Sequence, residues 1–361
     1  MGIKGLTKLI RDNCPGAIKE TSLKGYTGMK VCIDASNALY QFMVAIRSMG
    51  QGGLASAQVN TKRPLLLTDL INCRVASFFF FTVPSCLFSP RHVFSGFSPF
   101  LFALFCFPPP VKLTNAEGEI TSHISGMFAR TIRMMELGIK PVWVFDGKPP
   151  DMKGGEIAKR QAAKKKAQAD LKAAEAAGDV EAQNKFSKRN IRVGTKENDD
   201  VKLLFSLMGV PVVESPCEAE AQCAALAAGG ICFGAASEDM DTLCFNSPVL
   251  LRKFTAAESK KIPVMEINLQ RVLEELGFTY PEFVDLCMLL GCDYMDKIKG
   301  MGPVKALSMM KEHRSIEAVI EAIKGTKYVV PENFDYVRAR EVSGGWVCVC
   351  VCVCVCCCCC C

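Results

Sequence analysis

MKVCIDAS (residues 29–36) and PVWVFDG (residues 141–147) are short runs of β-branched and aromatic residues, each closed by an aspartate, Asp34 and Asp146. Apolar runs of this length, without alternation, suit parallel strands buried on both faces. Around them the pattern turns helical: NALYQFMVAIRSM (37–49), SHISGMFARTIRMMELG (122–138), NDDVKLLFSLMG (198–209) and SPCEAEAQCAALAAG (215–229). Further strands are expected at VPVVES (210–215) and ICFGAAS (231–237). Such alternation predicts an α/β fold, a mostly parallel central sheet flanked by helices. Ligands of these sheets gather in the crevice at the carboxyl ends of the strands.

Seven carboxylates stand where that crevice would be: Asp34, Asp146, Glu218 with Glu220, Asp239 with Asp241, and Asp293. Each lies at or just past an apolar run. Buried together they would repel, and their pKa values would rise unless cations neutralised them. No structural purpose calls for so many, so the set reads as a site for hard divalent ions such as Mg²⁺, and hence for phosphoryl chemistry. Taken singly, the acids have plainer uses. A strand-end aspartate is more often a turn or helix cap. Ser215 and Pro216 suit an N-cap and a first turn, which makes Glu218 a capping-box residue and leaves Glu220 unexplained. In ASEDMD, Asp239 and Asp241 would share one side of an extended segment, with Glu238 facing elsewhere.

The formal charge of +6 is unevenly spread: residues 153–196 hold 12 Lys/Arg and 5 Asp/Glu, a local +7 that leaves −1 for the rest. EIAKRQAAKKKAQADLKAAEAAG (156–178) consists of strong helix formers with almost no apolar stripe, so a solvated basic helix is expected. A basic module beside an acidic centre suits a polyanion. Gly300-Met301-Gly302-Pro303 forms a hairpin between two helical patterns, with Lys297, Lys299 and Lys305 around it, fit for a phosphate at a helix N-terminus.

Of the 21 cysteines, ten crowd the Val-Cys repeat of the last fourteen residues, and the others show no CxxC or zinc spacing. With no signal peptide visible, a reducing intracellular compartment is expected. Residues 58–112 are Phe- and Pro-rich without period. Arg91, His92 and several prolines interrupt them, and VFSGFSPFLFALFCF falls short of the roughly 20 residues a membrane span needs. Phe, Ser, Leu and Pro codons are pyrimidine-rich, and Val-Cys alternation suits a translated GT repeat. Both segments are therefore expected to be missing from the spliced message, which sequencing the transcript would check.

The chain resembles the flap endonucleases, structure-specific 5′ nucleases of DNA replication and repair. The resemblance rests on MGIKGLTKLI (1–10), VCIDASNALYQF (31–42), TSHISGMFARTIRMMELGIKPVWVFDGKPP (121–150), SPCEAEAQCAAL (215–226), SEDMDTL (237–243), SPVLLRKFTA (247–256) and FVDLCMLLGCDYMDKIKGMGP (283–303), in family order. It implies two Mg²⁺ ions, one served by Asp34, Asp146, Glu218 and Glu220, the other by Asp239, Asp241 and Asp293. Lys153 and Arg160 would contact the scissile phosphate at the foot of a helical arch, and their spacing puts them on one face of a helix. Tyr40 would stack on a base. Gly2, Arg47, Arg130, Glu218, Gly291, Asp293, Gly300 and Gly302 would lie against DNA, with K⁺ at the helix-hairpin-helix.

On this reading the nuclease region occupies 1–57, 113–152 and 197–284, the arch 153–196, the duplex clamp 285–325 and a low-complexity tail 341–361, with 58–112 foreign to the family. The implied activity is cutting of DNA 5′ flaps, with 5′→3′ exonuclease action, in Okazaki-fragment maturation and long-patch base excision repair. A monomer acting in the nucleus, away from membranes, is expected. The family's sliding-clamp peptide and nuclear-import tail find no match in these residues. A related gap or junction nuclease and a catalytically impaired junction binder are the alternatives.

Overall fold

The computed structural model describes residues 2–49, 121–179, 181–183, 186, 193–257, 261–332 and 334–345, with the side chains of 46–49 and 343–345 excepted. The 58–112 stretch and the Val-Cys repeat lie outside these residues. Helix α1 (Leu6–Asn13) leads to β1 (Ile18–Thr21), β2 (Lys30–Asp34) and α2 (Ala35–Met49). Next come α3 (Ser122–Glu136), β3 (Lys140–Phe145), α4 (Gly154–Ala176), α5 (Thr195–Leu207) and β4 (Val212–Glu214). They are followed by α6 (Ala219–Ala228), β5 (Gly234–Ala236), α7 (Asp241–Cys244), β6 (Val249–Arg252), β7 (Val264–Asn268) and α8 (Leu269–Leu276). The chain closes with α9 (Tyr280–Leu290), α10 (Pro303–His313), α11 (Ile316–Ile323) and α12 (Tyr336–Gly345). Thus the first five residues of the 341–361 segment are helical.

The strands form one sheet in the order β1-β7-β6-β5-β2-β3-β4. Pairings from β6 to β4 are all parallel, while β7 lies antiparallel to both β6 and β1. The sheet is therefore mostly parallel, as the strand–helix alternation implied. Its pleat sorts the core. Val31, Ile33, Trp143 and Phe145 enter one apolar cluster with Leu39 of α2, Met127 of α3 and Phe205 of α5. The alternate residues Cys32, Val142 and Val144 face the other way, against Ala219, Cys223 and Leu226 of α6. Trp143 is fully buried and stacks on Phe205 with ring centres 5.0 Å apart. A third cluster joins α1 to α8–α11 through Leu6, Ile10, Val272, Phe283, Leu289 and Met310.

Cys32 and Cys232, 200 residues apart, are joined by a disulfide, a pairing nothing in the sequence indicated. Among the described residues no helix is long and apolar enough to cross a membrane.

Candidate active site

Four adjacent strands, β5, β2, β3 and β4, run parallel, so their carboxyl ends open on the same edge of the sheet. Asp34 is the last residue of β2 and Asp146 follows β3 directly. Beyond β5 come Asp239 and Asp241, and beyond β4 come Glu218 and Glu220. Asp293 arrives from outside the sheet. Gly291 caps α9 at φ 100°, a conformation that favours glycine, and sends the chain back toward the acids.

Each acid is anchored before it does any chemistry. Asp34 accepts the Asn37 N–H (2.9 Å) and the Ser237 hydroxyl (3.1 Å), so it also caps α2. Asp146 accepts the Ala219 N–H (2.9 Å), the first of α6. The predicted cap at Ser215 is therefore incorrect: α6 starts at Ala219, Glu218 occupies its N-cap, and Ser215 serves the preceding turn by donating to the Glu218 carbonyl. Asp146, from another strand, supplies the acceptor that local sequence reading assigned to Ser215. Asp239 and Asp241 also depart from expectation. Met240 is helical and Asp241 opens α7, donating its N–H to Asp239 at 3.3 Å, so the segment is not extended. Glu238 does turn away, to the Lys253 N–H and Arg252.

Lys153 reaches in from the turn before α4. Its Nζ lies 2.5 Å from Glu218 Oε1 and 3.6 Å from Asp293, while Arg160 bonds Asp293 at 2.6 Å. Lys153 precedes the helix rather than sharing its face with Arg160, yet both reach Asp293. Tyr294 donates its hydroxyl to the other Glu218 oxygen at 2.5 Å.

The electrostatics link the cluster. Burial, then the charge of Asp146, lifts Asp34 from 3.8 to about 7, with Asp239 adding to the effect. Burial raises Glu220 well above the usual range, helped by Asp34, Asp239, Asp241 and Glu218. Asp241 rises for the same reason, with Asp239 and Asp293 contributing, and burial also raises Asp239. Lys153 loses some basicity to desolvation, but Glu218 more than restores it, followed by Glu220 and Asp293. These mutual repulsions connect all seven carboxylates.

Among the described residues no three acidic, thiol or imidazole groups close around a single point as a coordination shell. At two of the acids cationic side chains are already bound: the Lys153 ammonium and the Arg160 guanidinium take carboxylate oxygens of Glu218 and Asp293. The donors are nonetheless all hard oxygens, with Asp34, Glu218, Asp239 and Asp241 buried, and they repel one another, which suits Mg²⁺-like ions.

Gly2 belongs to the same place. A Cβ there would fall 1.6 Å from Asp239 Oδ1, and Ile3 donates its N–H to Asp241 at 2.9 Å. Arg130 lies elsewhere, its guanidinium 4.4 Å from the centre of the Phe42 ring and bonded to the Thr255 carbonyl, with burial lowering it to about 10. Tyr40 is half-buried on α2, and the side chain of Arg47 lies outside the described residues. Gly300, at φ 84°, and Gly302, the N-cap of α10, form the hairpin that follows Asp293.

Residues 1–96 and 100–167 match the XPG N-terminal domain, and residues 209–293 match the XPG I-region. The first match runs across part of the 58–112 stretch. Flap endonuclease 1 of Nematostella vectensis is 44% identical over 342 residues, covering 95% of this chain and 75% of that protein. The chain belongs to the flap endonuclease family. Flap endonuclease 1-B of Xenopus laevis agrees equally, at 44% over 342 residues, 95% of this chain and 74% of the relative. Among solved structures, the flap endonuclease-1 of Methanococcus jannaschii superposes with a TM-score of 0.57 at 27% identity, over 95% of this chain and 84% of that one. The catalytic core of Rad2 in complex with a DNA substrate shares the fold, with a TM-score of 0.58 at 19% identity over 95% and 86% of the two chains. Members of the flap endonuclease family are metal-dependent nucleases, which accords with an acid-lined strand edge.

Sequence reading missed several supporting groups: Ser237 on Asp34, the Asp146 acceptor at α6, and Tyr294 on Glu218. For Tyr294 the available signal was its place beside Asp293.

Proposed function

We propose that this protein hydrolyses phosphodiester bonds of DNA at junctions carrying a 5′ flap, with two Mg²⁺ ions as cofactors. The observation that carries the reading is the gathering of Asp34, Asp146, Glu218, Glu220, Asp239, Asp241 and Asp293 at one edge of the sheet, where burial and mutual repulsion raise the pKa of Asp34, Glu220 and Asp241. Asp34, Asp146, Glu218 and Glu220 would hold one ion, and Asp239, Asp241 and Asp293 the other. Bound there, such ions supply an activated water and offset the charge on the leaving oxygen.

The chain's own residues do the rest. Lys153 and Arg160, now bound to Glu218 and Asp293, are within reach of a phosphate entering the crevice and would orient it by charge. Beyond its foot α4 buries only Ala167 and Ala174, and its exposed Lys165, Lys166 and Lys172 offer charge along which a single-stranded flap could run. The Gly300–Pro303 hairpin presents the N-terminus of α10 with lysines on either side, suited to a duplex phosphate, and K⁺ there belongs to the same proposal. Arg130, Arg47 and Tyr40 would extend the DNA track along α2 and α3. Roles in Okazaki-fragment maturation and long-patch base excision repair, in the nucleus, complete the reading.

The test is a 5′-end-labelled double-flap DNA with purified protein, in Mg²⁺ or chelator. Mg²⁺-dependent release of the flap is expected. Tight binding without cleavage would overturn the reading in favour of a silent junction binder, and a preference for four-way junctions would favour a junction nuclease.

A further inference from the structure

Glu218 is held at both oxygens, by two donors of different kinds. Lys153 takes Oε1 and is shared with Asp293, carries charge and sits in the turn leading to the exposed α4. Tyr294 takes Oε2, is neutral and only 8% exposed, and belongs to the core cluster under α9 and α10. If Lys153 turns to a substrate phosphate, as proposed above, Glu218 loses that partner and keeps the phenol. A neutral donor fixes the carboxylate without cancelling the charge that attracts a cation. Tyr294 also follows Asp293 directly in the chain, so its bond ties an acid of one proposed ion site to the segment bearing an acid of the other.

We infer that Tyr294 is a positioning residue: its hydroxyl holds Glu218 in the orientation that receives a divalent ion once Lys153 has been drawn away. The inference rests on the metal-dependent reading above, and its readouts separate the two. Tyr294→Phe in the full chain keeps the ring in the core and removes only the hydrogen bond. Ligand-supporting groups of this kind alter metal affinity by about 10- to 100-fold.

Two titrations with MgCl₂ should be run on wild type and variant: the melting temperature of the DNA-free protein, and the cleavage rate of a double-flap DNA. The half-saturating Mg²⁺ is expected to rise by about tenfold in both. The KM for DNA should stay within about twofold, and excess Mg²⁺ should recover most of the rate. Equal half-saturation in the two proteins overturns the inference. So does a variant whose melting curve is displaced by the same amount with and without Mg²⁺, since that marks a purely structural role. A wild type that responds to Mg²⁺ in neither titration overturns the metal-dependent reading itself, and this inference with it.

Discussion

Without its cations the acid cluster should weaken the fold at neutral pH, and Asp34 gives the size of the effect. Its carboxyl is lifted from 3.8 to about 7 by burial and by Asp146, a displacement of roughly three pH units, each worth about 1.4 kcal/mol. The usual sign for an aspartate is therefore reversed. The unfolded chain loses this proton near pH 4, whereas the folded protein holds it to about 7. Stability falls as pH rises through that window, and ionised Asp34 costs about 4 kcal/mol above it. Between pH 5.5 and 8 the loss from this one group is about 2 kcal/mol, or roughly 4 °C in melting temperature for a chain of this size. Glu220, Asp239 and Asp241 are raised in the same direction and add to it. Three histidines in the whole chain leave few competing groups in this range. The assay is a thermal melt in EDTA at both pH values, repeated with Mg²⁺ at pH 8. The metal-free protein should melt lower at pH 8, Mg²⁺ should recover the difference, and Asp34→Asn should melt higher than wild type in EDTA at pH 8. A metal-free melting temperature that is flat or rising from pH 5.5 to 8, and indifferent to Mg²⁺, would refute the reasoning.

Other substitutions probe separate parts of the structure. Asp239→Ala should leave junction binding largely intact while abolishing turnover, so a gel-shift paired with a cleavage assay checks it; near-normal turnover would remove Asp239 from the ion site. Gly2→Ala puts a methyl group 1.6 Å from Asp239 Oδ1 at a backbone φ of 80°, and cleavage should drop by at least about tenfold in single-turnover assays. Arg340 makes three bonds of 2.8–3.0 Å to buried Asp285; Arg340→Ala strands that carboxylate and should cost about 2 to 3 kcal/mol in urea denaturation. Trp143→Ala empties the site stacked on Phe205 and should cost about 3 to 5 kcal/mol by the same measurement.

The core strands were readable because both faces of β2 and β3 are covered, so nearly every position must be apolar and the closing aspartates stand out. The edge of the sheet was not. β1 reads Ile-Lys-Glu-Thr, half-exposed, and finds its place by pairing with β7, which lies over 240 residues further along. Nor was the start of α6 readable. Ser215-Pro216 has the local chemistry of a helix opening, but the first N–H of the helix, that of Ala219, is taken by Asp146 from beyond a neighbouring strand, a tertiary bond that local sequence does not reveal. Extended geometry around Asp239 failed similarly, because the chain turns helical at Met240 and α7 opens on Asp241.

These misses share a cause that bears on function. Residue identity and strand-end position were enough to nominate the seven acids, since both are local. What prepares them is contact between distant segments: Lys153 with Glu218, 65 residues apart, Tyr294 with Glu218, 76 apart, and Ser237 with Asp34, 203 apart. Each partner also has a structural duty, in a turn, a core or a strand end, so sequence alone gives no reason to single it out. The acids themselves are doubly employed, Asp34 and Asp146 closing helix N-termini while facing the crevice. That double use keeps self-repelling carboxylates in place. The caps and hydroxyls hold them through neutral donors, and the remaining charge is left for cations, supplied here by Lys153 and Arg160.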